Sequence, residues 1–327
     1  MRVLILGGTG FAGRHITERL VARGDEVLVV HRGKTTARPG PRVAVLHTDR
    51  LALSEHAREI ATFGPEAVVD TYALTAADVE AVLPVLPEVP TVVLSSIDVH
   101  SAFSGLHSGR ELAAMPLTED SPLRTDRYPY RGAGIAGAPE DYEKLDVEER
   151  WLARGAVLLR APMLYGAFDA QRREDVVLRR VRAGRTRIPV GAANQLLTRL
   201  HIEDLAAAVL AALDTRAADG QALLVGEAGT ATIGGWFRQI LDAAESDAEL
   251  VRVPESVLPA DLALTGAPAQ HLLVSSARAT ALLGWHPTDP AVRVAESVRW
   301  HLTHPGPNPW TPEETAADEQ ALAAAER

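Results

Sequence analysis

The chain has 327 residues, 46% of them hydrophobic, a formal net charge of -10 and no cysteine. That length holds one large domain or a domain with a smaller companion. The missing cysteines exclude disulfides, a thiolate nucleophile and zinc–cysteine sites, and the acidic balance argues against a nucleic-acid partner. No apolar run reaches membrane-spanning length. The short apolar start runs straight into glycines, unlike a signal peptide. The expectation is a cytoplasmic protein acting on a small molecule, without nucleic acid or membrane.

Val3–Leu6 reads as a buried strand, followed by Gly7-Gly8-Thr9-Gly10-Phe11-Ala12-Gly13 and a predicted helix over Phe11–Arg23. In this strand–turn–helix context Gly7 serves a sharp turn. Gly10 lets the backbone approach a pyrophosphate, and Gly13 lets the helix pack closely on the sheet. The free N–H groups and positive end of the helix then face phosphates. Strands are predicted at Val27–Val30, Val43–Leu46, Ala67–Val69, Val92–Leu94 and Val157–Leu159, with helices at Leu51–Thr62, Ala76–Leu86 and Glu140–Arg154 between them. This alternation predicts an α/β fold, a Rossmann-type doubly wound parallel sheet. Ligands of such sheets collect at the carboxyl ends of the strands. Gly7–Gly13, His31–Lys34, Asp70–Ala73 and Ser95–His100 should therefore share one rim, with Tyr72 and Ala73 on the cofactor side.

Past residue 160 the pattern loosens. Helices are expected at Gln171–Ala183, Glu203–Leu213, Thr232–Ala244, Ser275–Leu283 and Ala291–Leu302, with a late strand at Ala222–Val225. The expected division is a dinucleotide-binding domain of residues 1–165 plus 201–226 and a smaller, mostly helical substrate domain of residues 166–200 plus 227–303. Residues 304–327 read as an extended tail with a frayed helix. The basic run Arg179-Arg180-Val181-Arg182, with Arg185 and Arg187, is either a solvated helix face or an anion site. Arg172, Arg173 and that run could grip a diphosphate. His201 and Asp204 have metal-like spacing without a third ligand, so a helix entry is preferred.

About twenty residues past the glycines, the second strand ends in His31-Arg32-Gly33-Lys34. An NAD site wants an acidic residue there, whereas Arg32 and Lys34 suit the 2′-phosphate of NADP(H).

Together with the glycine loop, the segments Val93–His100, Leu159–Gly166, His201–Ala206 and Leu282–Pro287 resemble the extended short-chain dehydrogenases/reductases of the NAD-dependent epimerase/dehydratase superfamily. The resemblance spans nearly the whole chain. It implies adenosine contacts from Asp49, with Arg50 adding to phosphate binding, and further cofactor contacts from Pro162 and Met163. It also implies a mechanism in which a tyrosine exchanges the proton of a hydroxyl/carbonyl pair and a serine orients the substrate oxygen. A lysine four residues after the tyrosine lowers its pKa, which is otherwise about 10.

Ser96 matches the serine. Tyr142 matches the tyrosine, but its fourth neighbour is Asp146 and the nearest lysine is Lys144. On a regular helix Lys144 would point away from Tyr142. An irregular first turn would let both reach the cofactor, and otherwise Asp146 could hold the ribose. The catalytic candidates are thus Ser96, Tyr142 and Lys144. Asp98 and His100 occupy positions where relatives often carry a hydroxyl residue and a tyrosine. The long segment between His100 and Tyr142, with His107, Arg110, Tyr128, Tyr130 and Arg131, reads as a lid or a packed loop.

The resulting expectation is an NADP(H)-dependent reductase of a ketone, or oxidant of a secondary alcohol, on a sugar nucleotide or natural product. A nucleoside-diphosphate-sugar epimerase is the alternative, and a dinucleotide-binding sensor or scaffold is the non-enzymatic one. The family resemblance also implies a homodimer through the tyrosine helix, on a face that would include Val147 and Trp151.

Overall fold

The structure, a computed structural model, describes residues 1–33, 40, 42–109, 113–134 and 137–325. Lys34 and Arg110 lie outside the described residues, as does the side chain of His107.

The first half alternates as its apolar pattern requires. β1 (Arg2–Leu6), α1 (Phe11–Arg23), β2 (Glu26–His31), β3 (Val43–His47), α2 (Ala57–Phe63), β4 (Ala67–Asp70), α3 (Ala76–Glu80), β5 (Thr91–Ser96), α4 (Ser101–Ser108), α5 (Lys144–Leu152) and β6 (Val157–Ala161) follow one another. Then come β7 (Met163–Tyr165), α6 (Asp175–Arg182), β8 (Arg187–Val190), β9 (Arg199–His201), α7 (Ile202–Leu213), β10 (Ala222–Leu224), α8 (Ile233–Ala243), β11 (Glu249–Arg252), α9 (Ala277–Leu283), α10 (Pro290–Thr303) and α11 (Pro312–Ala325). Seven strands form one parallel sheet in the order β10-β6-β5-β4-β1-β2-β3. Two further parallel pairs, β11–β8 and β7–β9, stand apart from it.

The central strands are buried on both faces, so they read as apolar runs rather than alternating, while the edge strand β3 is only partly covered. Val3, Ile5, Val27 and Val29 join Ile16 and Leu20 of α1 and the apolar face of α7. The intervening Leu4, Leu6, Leu28 and Val30 face Ile60 of α2, Val79 of α3 and Val147 and Trp151 of α5. Each such side chain, fully buried, contributes about 1.5–3 kcal/mol of transfer free energy. A separate cluster unites Val177 and Leu178 of α6, Ile188 and Val190 of β8, Trp236 and Phe237 of α8 and Val298 of α10.

Four expectations change, the first being the helix expected over Ala76–Leu86, which ends at Glu80. The helix expected from Glu140 begins only at Lys144, because Glu143 is extended and its carboxylate accepts the Leu145 N–H, capping the helix there. The stretch expected as helix Leu51–Thr62 is a 3₁₀ turn, Arg50–His56, followed by α2. The C-terminal tail is no frayed arm: α11 docks with Ala321 and Leu322 buried and Asp318 wholly enclosed.

Candidate active site

The cradle begins where β1 stops. Gly7 has a φ of +90°, and a Cβ there would lie 2.6 Å from Thr71 Oγ1. That hydroxyl donates to the carbonyls of Leu6 and Gly7, fixing the turn. A Cβ at Gly13 would lie 2.1 Å from the Gly7 carbonyl oxygen, so α1 seats on the turn only with glycine there. Gly10 differs: a Cβ would meet nothing closer than the Gly7 carbonyl at 3.9 Å. The packing of the fold therefore does not require glycine at this position. No side chain caps α1 at Gly10, and the N–H groups of Phe11, Ala12 and Gly13 begin the helix without intrahelical acceptors.

This end of α1 opens onto a cavity of about 410 Å³ walled by Gly7, Thr9 and Gly10 on one side and His31, Arg32, Asp49, Arg50 and Tyr72 on the other. No carboxylate stands at the end of β2. His31 sits there against the His47 ring at 4.6 Å, and burial together with His47 lowers its pKa, leaving it neutral. Arg32 follows, exposed at the cavity rim. Asp49 accepts the Leu51 N–H at 3.0 Å and caps the 3₁₀ turn. Arg50 is a strut rather than a free phosphate ligand: it clasps Asp70 through two bonds, 2.7 and 3.2 Å, and donates to the Asp78 carbonyl. Tyr72 is 47% exposed on the lip. Thr48, Leu51 and Asp78 also line the cavity; loop residues with no fixed spacing from the glycines gave the sequence reading no handle on them.

The second half of the site lies past β5. Ser96 Oγ accepts the Asp98 N–H at 3.2 Å and caps the short turn Ile97–Val99. Asp98, 2% exposed, carries two phenols on one oxygen: Tyr142 Oη donates to Oδ2 at 2.6 Å and Tyr130 Oη at 3.3 Å. The two rings lie 4.9 Å apart. Among the described residues Asp98 Oδ1 has no partner. Burial, then the Asp98 charge, pushes the Tyr142 hydroxyl far above the ordinary phenol range, and Tyr130 shifts the same way. Asp98 is itself raised by burial, against the opposing pull of Tyr142, Lys144 and Arg124.

Lys144 opens α5 and points inward. Its Nζ donates to the carbonyls of Ala73 at 2.6 Å and Leu94 at 3.1 Å, and burial lowers its pKa. Tyr142 precedes the helix, so the irregular first turn places both residues beside Asp98. Asp146 does not serve as their substitute, because Arg127 pairs with it. Ala73 is buried in the core, and its visible contribution is that carbonyl. Pro162 and Met163 stand at the end of β6. Met163 borders a second cavity, about 480 Å³, with Trp236, Arg172, Arg173 and residues 306–308. The sequence reading did not single out Arg124 and Glu143. They form a buried ion pair that ties the long loop to the site: Arg124 Nε donates to the Asp98 carbonyl, and Glu143 also accepts the Tyr128 N–H.

Residues 3–84 match the NAD dependent epimerase/dehydratase family. Solved structures of the same fold align over almost the full length. A UDP-glucose 4-epimerase shares 18% identity at a TM-score of 0.70 or slightly more, 0.71, covering 95% of this chain and all of that one (100%). The dTDP-glucose 4,6-dehydratase of Bacillus anthracis, solved with NAD, shares 14% identity, covering 93% and 97% of the two chains at a TM-score of 0.70. The UDP-glucose 4-epimerase of Thermotoga maritima, solved with UDP-glucose, shares 16%, covering 93% and 99% at 0.70. The chain shares the fold of these structures, a Rossmann-type parallel sheet with further elements packed beside it. No curated protein sequence matches it.

Many of the remaining polar side chains are tied into ion-paired networks. Ser95 and Arg160 both bond Glu148, and Arg160 meets His100 at 3.3 Å. Burial, aided by Arg160, takes His100 down to about 4 and keeps it neutral. The basic run is neither a solvated face nor an open anion site. Arg179 pairs with Glu314, Arg180 with Asp318 and Asp261, Arg182 with Asp175 and Arg185 with Glu319. Arg172 and Arg173 are likewise held, by Asp175 and Asp169. His201 caps α7, while Asp204 binds Arg293 and Thr288. Among the described residues no group of three or more metal-ligating side chains occurs, and no helix is long and apolar enough to cross a membrane.

Proposed function

We propose that this protein is an NADP(H)-dependent oxidoreductase that reduces a ketone, or oxidises the matching secondary alcohol, on a nucleotide sugar or natural product. The observation that carries the reading is Gly10: a glycine the fold does not require, at a bare helix N-terminus facing a cavity with Arg32 on its rim. The amides of Phe11, Ala12 and Gly13 would hold the pyrophosphate. Arg32 would pair with the 2′-phosphate, and Asp49 and Tyr72 would flank the adenosine. Bound there, the nicotinamide supplies or accepts hydride. Ser96 and Tyr142 would orient the substrate oxygen and exchange its proton, while Lys144 braces the floor between the ends of β4 and β5. The lobe of residues 166–200 and 227–303, with the cavity beside Met163, would take the rest of the substrate.

Titration with NADPH and NADH, followed by NADPH oxidation over a panel of ketones, tests this. NADPH should bind at least about tenfold more tightly than NADH, and Arg32→Ala should abolish that preference while leaving NADH binding unchanged. Equal loss of both would refute the 2′-phosphate role. A second reading, nucleotide-sugar epimerisation, is supported by UDP-glucose 4-epimerases that align over 93% and 95% of this chain. Conversion of UDP-glucose without net cofactor consumption would favour it. Tight binding with no turnover on any substrate would favour a sensor.

A further inference from the structure

We infer that Asp98 is the ionising group of the proton-transfer site and that Tyr142 works as its relay. This rests on the oxidoreductase reading and names the group that holds the proton. Three geometric facts carry it. Both phenols, Tyr142 and Tyr130, donate to the same carboxylate oxygen. Lys144, the cation that would make a phenolate accessible, instead donates to the carbonyls of Ala73 and Leu94. Among the described residues the other Asp98 oxygen is buried without a donor, so a charge on it is poorly solvated and a proton on it relieves that cost.

The charged and titratable groups around Asp98 are Tyr142 before α5, Lys144 on α5, and Arg124 and Tyr130 on the long loop. Arg124 is already paired with Glu143, and its contact with Asp98 goes to the backbone carbonyl, not the carboxylate. Burial dominates and raises the Asp98 pKa, consistent with the geometry. In the reductive direction a bound reduced nicotinamide would supply hydride to the substrate carbonyl carbon, leaving the negative charge on the substrate oxygen. That oxygen takes the Tyr142 Oη proton. Oη takes the Asp98 carboxyl proton, and solvent later returns a proton to the Asp98 carboxylate. Asp98 is thus a positioning residue acting through Tyr142, and reduction requires its protonated form.

The test needs no known substrate. Infrared difference spectra of the whole protein across a pH titration should show a buried carboxyl whose midpoint lies above the ordinary carboxylate range. Asp98→Asn should remove that band, and Tyr142→Phe, which deletes a donor to the carboxylate, should move its midpoint further up. In parallel, ultraviolet titration should find three of the five tyrosines, Tyr130, Tyr142 and the buried Tyr165, still protonated well past pH about 10, and Asp98→Asn should bring only two of them back toward that range. A midpoint in the ordinary range, or a band unmoved by Tyr142→Phe, would overturn the assignment, as would early phenolate formation in the wild type. The Tyr142→Phe result stands even where Asp98→Asn fails to fold. NADPH binding, followed by tryptophan fluorescence, reports separately on the cofactor reading, because its loss leaves the carboxyl titration interpretable.

Discussion

At the residue scale, Gly10 and Gly13 separate folding from binding. Gly13→Ala forces a methyl to 2.1 Å from the Gly7 carbonyl, so α1 must shift, at a cost of about 1–3 kcal/mol or more. Gly10→Ala meets no such obstacle, and its expected stability loss is under about 1 kcal/mol, the difference between Gly and Ala at a helix N-cap. The same methyl stands where a pyrophosphate would approach, so dinucleotide affinity should fall at least about tenfold. Thermal melts and NADPH titrations of the two variants check this; an unchanged affinity for Gly10→Ala would remove the cradle argument. The structural roles of Gly7 and Gly13 were legible in the sequence because each follows from chain geometry alone. The proton side was only partly so. Ser96, Tyr142 and Lys144 could be found by position, yet the partner of each depends on where the irregular stretch before Lys144 folds. Asp98 is one residue in a strand-end turn, and nothing in its neighbours announces that two tyrosines from 32 and 44 positions away will meet it.

At the element scale, acidic groups decide how helices are held. Glu203, in the first turn of α7, reaches His15 at 2.5 Å and Arg19 at 2.7 Å on α1. Burial opposes its charge, but these two partners prevail and take its pKa down to about 2. A depressed folded-state pKa gives stability that is present above the unfolded value, about 4.3, and is lost as the pH falls toward 2. Glu203→Gln should therefore lower stability at pH 7 and flatten the acid-unfolding curve between those limits, as read by circular dichroism; a parallel curve would refute the coupling. The tail follows the same logic. Asp318 is wholly buried against Arg180, whose other face meets Asp261. Removing one partner of a buried pair costs about 3–5 kcal/mol, and the surviving Asp261 contact should keep Asp318→Leu near the lower figure, about 3. Denaturant melts check this, and Arg180→Met in the same chain should recover much of the loss. The sequence showed an alanine- and acid-rich segment at the end and a basic run more than 120 residues earlier. It held no local signal that one neutralises the other, which is why the segment reads as a tail.

At the scale of the whole molecule, the parallel sheet was legible because its central strands are covered on both faces and so carry unbroken apolar runs. The short pairs β7–β9 and β8–β11 were not, since strands of three or four residues carry no measurable period and find partners far along the chain. The same covering decides the fate of the expected dimer face. Val147 is fully buried and Trp151 is 2% exposed, both packed against the sheet with Leu158 and Val93. The outward side of α5 carries Asp146, Glu149 and Arg150 instead, with Arg150 paired to Glu80. Trp151 is thus a core residue, and Trp151→Ala should cost about 3–5 kcal/mol through the cavity it leaves. Its midpoint in denaturant should fall by the same amount at dilute and concentrated protein, because a packing loss within one chain does not depend on concentration. A dimer broken by the same substitution would give a loss that grows on dilution. Melts at two protein concentrations a hundredfold apart, read beside the sedimentation of wild type and variant, distinguish the outcomes; a concentration-dependent loss would return Trp151 to an interface.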